Sequence, residues 1–264
     1  EPAELGKFLD SLGGHRLAPL LETIAATGLR RGEALGLRWD DVDLERMVLT
    51  VRQQLLQVAD DTARRPCPYC DQTHRQVAFG QPKTSSGEAR VVELDSGTAG
   101  LLLGHRLRQD EERERWGEGD VEHGLVFARE DGQPIPPDTV SKTFVELATA
   151  AGLRPIRLHD LRHGAASLRL AAGVDIAVVS KQLGHSTIAL TVDTYSHLLD
   201  GVARQAAEKA MALVPRAPRD QSVTSPASGS SPEDPDEPLT CGDGAPPSGL
   251  EPETLRLTVA CSAN

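Results

Sequence analysis

The sequence contains no long apolar run, although 39% of its 264 residues are hydrophobic. No stretch approaches the roughly 20 consecutive apolar residues that a membrane-spanning helix needs. The first residues also lack the basic region followed by an apolar segment that marks a signal peptide. These absences favour a globular, cytoplasmic protein with no membrane partner.

An excess of basic residues is missing as well. The formal net charge is −11, of which residues 216–264 account for −5. Domains that bind nucleic acid usually carry a basic patch or a basic face. Total charge therefore gives no support for DNA binding, and the function must be argued from where individual cations lie.

The spacing of apolar residues predicts a mainly α-helical chain with one small antiparallel β-sheet, an α+β fold. Alternating apolar and polar residues predict strands within 42–58 and 89–94. After about residue 215 the chain is rich in Ser, Pro, Gly and acidic residues, a composition typical of disorder. We expect a folded domain at residues 1–214 and a disordered tail at 215–264. Helical patterns cover residues 17–26, restart at 30, and recur over 98–116, 137–151, 158–172, 175–183 and 187–213.

Two blocks in the first half of the chain place cations beside residues that interrupt secondary structure. The sequence TGLRRGE, at 27–33, carries Arg30, and Glu33 lies three residues later on the same helical face, where it can orient a guanidinium. The sequence PKTSSG, at 82–87, places Lys83 on a turn that leads into a strand. Taken alone, these are typical of a surface ion pair and a solvated lysine.

Two further blocks lie in the second half. HDLRH, at 159–163, carries His159 and Arg162 three residues apart on one helical face, while His163 is predicted to point elsewhere and is left out of the site. LGHSTIALTVDTYSHL, at 183–198, places His185 ten residues before Tyr195, one of only two tyrosines. A structural His–Arg pair and a core tyrosine would each be ordinary. The four blocks in this order leave little room for coincidence.

The order TGLR, PKT, HDLRH, LGH and DTYSH resembles the tyrosine recombinase family, which includes phage integrases and the recombinases that resolve chromosome dimers. The resemblance covers roughly residues 1–213. It implies a site-specific recombinase that cleaves and rejoins double-stranded DNA through a 3′-phosphotyrosyl intermediate. It also implies a homotetramer on paired DNA sites and no required metal or nucleotide cofactor.

The resemblance also implies a role for each landmark residue. Arg30 and Arg162 would clamp the non-bridging oxygens of the scissile phosphate, and His185 would add a further donor. Tyr195 would attack the phosphorus, and His159 would accept or share its proton. Guanidinium groups suit this task because they present paired, permanently charged donors.

Lys83 would protonate the departing 5′ oxygen, and Glu33 matches the supporting carboxylate of the family. The family's usual N-terminal DNA-clamping domain is absent from these 264 residues. Because the sequence starts at Glu1 without an initiator Met, we expect it to be part of a longer protein.

A cysteine-containing insertion precedes Lys83. Cys67 and Cys70 have the Cys-x2-Cys spacing that zinc favours, and His74 follows closely. This is half of a zinc site, to which Cys241, Cys261 or another histidine would have to add the fourth ligand. A reduced, metal-free loop is the favoured interpretation, since a cytoplasmic setting disfavours a disulfide.

Two other functions fit parts of the pattern. A type IB topoisomerase shares the chemistry but relaxes supercoils without exchanging partner strands. A binding-only module, the remnant of a truncated integrase, would recognise DNA without cutting it, although the complete set of landmark residues argues against it.

Overall fold

The computed structural model describes residues 2–58, 77–82, 88–119 and 123–214 and shows eight α-helices within them. The mainly helical prediction is confirmed, and each predicted helix has a counterpart. Helix α1 was not predicted, and the helix expected from residue 30 is only five residues long. The helices are α1 (Pro2–Ser11), α2 (Ala18–Thr27), α3 (Arg31–Leu35), α4 (Ser96–Trp116), α5 (Pro137–Ala150), α6 (Leu158–Ala171), α7 (Ile176–Leu183) and α8 (Ile188–Ala212).

The strands form two small antiparallel sheets among the described residues rather than the single sheet that was expected. The alternating segment 42–58 is divided by turns, one of which contains Met47 with a positive φ of 52°. The three-stranded sheet has the order β1-β2-β5, and the other pairs β3 with β4. The strands are β1 (Val42–Asp43), β2 (Val48–Val51), β3 (Gln54–Gln57), β4 (Val77–Gly80) and β5 (Arg90–Glu93).

Helix α2 forms the centre of the main core. Its side chains are buried on nearly every face, including Leu20, Leu21 and Ile24, and it packs against α1, α3, α4 and α6. The ring of Phe8 on α1 meets that of Phe144 on α5 edge to face, with centroids 5.5 Å apart. A helix apolar all round is expected where neighbours surround it.

A second, smaller core joins α6, α7 and α8. Ala166 and Leu170 of α6 contact Val179 and Leu183 of α7, and Tyr195 of α8 completes the cluster. The two cores come together along α6, which packs against α2 and contributes Leu161 to the main core and Ala166 to the second. Residues from both halves of the sequence therefore converge at this junction.

Within the ranges given above, no helix combines the length and the apolar character needed to cross a bilayer. The predicted tail at 215–264 lies outside the described residues.

Candidate active site

Three arginines meet at the C-terminal end of α7. The helix ends at Gly184, whose φ of 67° lies in the left-handed region. Three successive carbonyl oxygens there accept hydrogen bonds from guanidinium groups: Gln182 from Arg90 Nε at 2.9 Å, Leu183 from Arg162 Nη2 at 2.7 Å, and Gly184 from Arg30 Nη2 at 3.1 Å. Carbonyls at a helix C-terminus lack partners within the helix and attract cations. The end of α7 thus gathers cations contributed by β5, α6 and the start of α3.

Glu33 links two of these arginines. Its carboxylate is buried, with a side-chain exposure of 0%, and contacts Arg30 Nη1 at 2.8 Å and Arg90 Nη2 at 2.5 Å. It also accepts the backbone N–H of Arg30 at 2.8 Å, which caps the N-terminus of α3. Burial acts to raise the pKa of Glu33, but the bonds to Arg90 and Arg30 outweigh it, and the pKa lies below its ordinary value. Glu33 is therefore an ionised anchor for both guanidinium groups.

Arg162 is the most deeply buried of the three, with 3% of its surface exposed. Its Nη1 donates to the carbonyl of Gly28 at 2.6 Å, in addition to the bond from Nη2 to Leu183. Burial, followed by the nearby charge of Arg30, lowers its pKa to about 10. The side chain remains cationic at neutral pH. Because each terminal nitrogen of a guanidinium carries two hydrogens, both retain one for an anion.

Gly28 allows α2 to approach this cluster closely. It ends α2 with a φ of 72°, and a Cβ at this position would lie 2.8 Å from Cδ2 of Leu183. The absence of a side chain brings its carbonyl within reach of Arg162. The left-handed φ and the close approach to Leu183 therefore explain why the TGLR block contains a glycine.

His185 follows α7 directly and faces α8. Its Nδ1 lies 2.8 Å from Oγ1 of Thr191. Burial, together with the charges of Arg162 and Arg30, lowers the pKa of His185 to about 4. The ring is neutral at pH 7, and when Thr191 donates to Nδ1 the ring proton lies on Nε2, which is then a neutral donor.

Tyr195 is 3% exposed, and its hydroxyl contacts a histidine that was predicted to lie outside the site. Nδ1 of His163 lies 2.9 Å from the Tyr195 Oη. Burial raises the pKa of Tyr195, while the charge of Arg162 acts to lower it. The phenol thus lies within the electrostatic field of the arginine cluster.

The prediction that His163 points elsewhere was wrong. His163 follows His159 by four residues, and such residues lie on the same face of a helix. Their rings meet edge to face, with centroids 4.9 Å apart. Burial, then the neighbouring His163 and Arg162, lower the pKa of His159. The spacing of the two histidines in HDLRH was the signal that would have identified His163.

Arg90 was also missed. Arg90 begins strand β5, and its side chain lies on the same face as the buried Val92 and Leu94. An arginine at an inward position of a short strand is a recognisable signal, because a buried charge requires a partner.

The predicted site residues that the structure describes lie together at the junction of α2, α3, α6, α7 and α8. They are Arg30, Glu33, His159, Arg162, His185 and Tyr195. Lys83 lies outside the described residues, as do Cys67, Cys70 and His74. Among the residues that are described, no group of three potential metal ligands occurs.

The chain is similar in sequence to known recombinases and integrases. The model of the phage integrase family matches residues 4–201. A XerC-like tyrosine recombinase of Caldanaerobacter subterraneus is 35% identical over 201 residues, 74% of this chain and 49% of that protein. The ICEBs1 integrase of Bacillus subtilis is 29% identical over 210 residues, 79% of this chain and 52% of that protein. The chain therefore spans about half the length of these relatives.

Solved structures share the fold. The Tn1549 transposon integrase in complex with transposon right end DNA superposes with a TM-score of 0.63 and 21% identity, covering 80% of this chain and 65% of that one. The XerA recombinase gives a TM-score of 0.56 and 21% identity, covering 82% of this chain and 65% of that one. At this level of identity the likeness establishes the architecture.

Proposed function

This chain belongs to the phage integrase family, and on that premise we propose that it is a site-specific DNA recombinase. In this proposal it cleaves and rejoins double-stranded DNA through a 3′-phosphotyrosyl intermediate. The observation that carries the proposal is the convergence of Arg30, Arg162 and His185 beside the hydroxyl-bearing Tyr195. Two cations and a neutral donor next to a nucleophile suit the displacement of an oxygen from a phosphodiester.

The arginines act as the phosphate clamp. Arg30 is 23% exposed at its side chain and can reach a phosphate at the surface, whereas Arg162 presents its remaining N–H groups from within the fold. His185 adds a donor through Nε2. Because Glu33 and the end of α7 hold the guanidinium groups in place, little reorganisation is needed as charge develops on the phosphate oxygens.

In the cleavage step, Tyr195 Oη forms a bond to phosphorus and the bond to the 5′ oxygen breaks. Lys83 protonates the departing oxygen, since an alkoxide leaves poorly without a proton. A 5′-hydroxyl from a partner duplex then attacks the phosphotyrosyl bond and restores Tyr195. The covalent bond conserves the energy for rejoining, so the cycle consumes no nucleotide cofactor. Because Tyr195 is only 3% exposed, we propose that DNA binding opens the surface above its hydroxyl.

We assign this activity to residues 1–214 and none of it to the tail at 215–264. Strand exchange between two sites would involve a homotetramer, and access to DNA would place the protein in the cytoplasm. Zinc at Cys67, Cys70 and His74 has no role in the step, and metal analysis of the purified chain decides whether the ion is present.

A capture experiment with randomised DNA tests the function, because the pool does not depend on one chosen target sequence. The wild type and Tyr195→Phe are each incubated with a pool of nicked duplexes that contain a randomised core, and the protein-linked DNA is isolated after denaturation. We expect a 3′-linked adduct from the wild type and none from Tyr195→Phe. Equal adduct from both proteins would refute the assignment of the nucleophile.

The same adduct distinguishes the alternatives. A binding-only module would retain DNA before denaturation and lose all of it afterwards. A type IB topoisomerase would form the adduct but relax supercoiled plasmid without joining strands of two different duplexes. Joint molecules between two labelled duplexes would therefore support the recombinase.

A further inference from the structure

His163 is the side chain in contact with the reacting atom. Its Nδ1 lies 2.9 Å from the Tyr195 Oη, whereas for His159 the structure gives a ring contact with His163 and none with Tyr195. The contact exists within the folded chain in the absence of DNA. The tyrosine hydroxyl needs an acceptor, because an unperturbed phenol titrates near pH 10 and burial raises the pKa of Tyr195 further.

A cleft reaches His163 from the side of the molecule formed by α1 and α6. Its volume is about 600 Å³, and its lining includes Leu5 and Phe8 of α1 and His163 and Ser167 of α6. The cleft is open to solvent along part of its surface. Removing the imidazole would therefore leave a space that joins the cleft and leads towards the Tyr195 hydroxyl.

We infer that His163 is a catalytic residue that accepts the phenolic proton as Tyr195 attacks the phosphate. This step rests on the proposed function. As the bond from Tyr195 Oη to phosphorus forms, the O–H electron pair stays on Oη and the proton passes to Nδ1 of His163. The imidazolium returns that proton to Oη when the 5′-hydroxyl displaces Tyr195, so no proton is gained or lost over the cycle.

His159 then has a different task. Its ring meets His163 edge to face, which fixes the orientation of the neighbouring imidazole. We class His159 as a positioning residue in this step, which replaces the proton-accepting role implied by the family resemblance.

Chemical rescue tests the inference. The rate of adduct formation is measured on a captured nicked duplex for the wild type, His163→Ala, His163→Asn and His159→Ala. We expect His163→Ala and His163→Asn to be slower by about 10²- to 10⁴-fold, the usual contribution of a general base. Imidazole added to His163→Ala can enter through the cleft and should restore the rate at least about tenfold, within the range that a general base contributes. The asparagine variant keeps an acceptor near the Nδ1 position but cannot take up the proton.

Ser167→Ala is the matched control, because Ser167 lines the same cleft on the same helix, four residues beyond His163. It should cleave at the wild-type rate and show no response to imidazole. Circular dichroism and thermal melting of each variant show whether it is folded.

A second measurement examines the contact without DNA. The chain has two tyrosines, so Tyr69→Phe leaves Tyr195 as the only source of a 13Cζ-tyrosine NMR signal. That signal should move in His163→Ala and stay unchanged in Ser167→Ala. An unchanged signal in His163→Ala would show that the contact does not exist and would overturn the inference.

The possible rate results separate the two proposals. No adduct from the wild type would refute the proposed function and this step with it. Adduct at the wild-type rate from His163→Ala or His163→Asn would refute the His163 step alone. A loss in His163→Ala that imidazole does not restore, or a rescue confined to His159→Ala, would also overturn it.

Discussion

Neutralising Glu33 should destabilise the fold markedly. In Glu33→Gln the buried Arg90, whose side chain is 3% exposed, would lose the carboxylate that compensates its charge. Removing one partner of a buried ion pair costs about 3–5 kcal/mol. The glutamine oxygen still accepts one hydrogen bond and Arg30 is partly solvated, so we expect a loss near the lower end, about 3 kcal/mol.

Urea denaturation at pH 7, followed by circular dichroism, measures the change in the free energy of unfolding. For a domain of this size, a loss of about 3 kcal/mol corresponds to a fall of about 6–12 °C in Tm. Asp110→Asn is the control, because Asp110 pairs with Arg113 at 3.3 Å on the exposed face of α4. An exposed pair of this kind contributes about 0.5 kcal/mol or less.

A double-mutant cycle identifies the cause. Glu33→Gln should cost at least about 1.5 kcal/mol less when Arg90 is already replaced by Met, because contacting residues are energetically coupled. Equal costs in both backgrounds, or a loss no larger than that of Asp110→Asn, would refute the argument that Glu33 compensates Arg90.

Two further changes test the surroundings of the site. Gly28→Ala should lower the free energy of unfolding by about 2–3 kcal/mol, since a left-handed φ is strained for alanine and the new Cβ meets Leu183. Gly152→Ala is the control, because this glycine has a φ of 73° but lies in open space. It should lower the free energy of unfolding, measured by urea denaturation, by only about 1 kcal/mol. Lowering the pH should also destabilise the fold. The pKa of His185 is about 4 in the folded chain, whereas the pKa of a histidine in the unfolded chain is near 6.5. The unfolded state then binds more protons between these values, and stability measured from pH 7 to 5 should fall by about 1–2 kcal/mol after allowance for solvent screening. His185→Asn should lose that part of the pH dependence, and an unchanged slope would contradict the cause.

The longer helices could be predicted from sequence because their apolar residues repeat at helical spacing and glycine or proline lies near most junctions. Helix α1 was harder to recognise because Phe8 is its only fully buried side chain, so the apolar pattern is short. The division of 42–58 into separate strands depends on turns such as that at Met47, whose positive φ is unusual for a residue other than glycine.

The site itself was predictable to the extent that its residues form local motifs. Arg90 and His163 were missed because their partners, Glu33 and Tyr195, are far away in sequence, and only folding brings these pairs together. The spacing within HDLRH nevertheless contained the information for His163. Lys83 lies outside the described residues, and its role stays a prediction.

The end of α7 affects how this site tolerates sequence change. The atoms that hold the three arginines are main-chain oxygens of residues 182–184, and every amino acid supplies a carbonyl. Substitutions at Gln182 can therefore accumulate without disturbing the arginines. A single inserted residue within α7 would rotate the helix end by about 100° and misplace all three acceptors together. Homologues and engineered variants should thus vary at the exposed positions of α7, while keeping its length and its buried Val179 and Leu183.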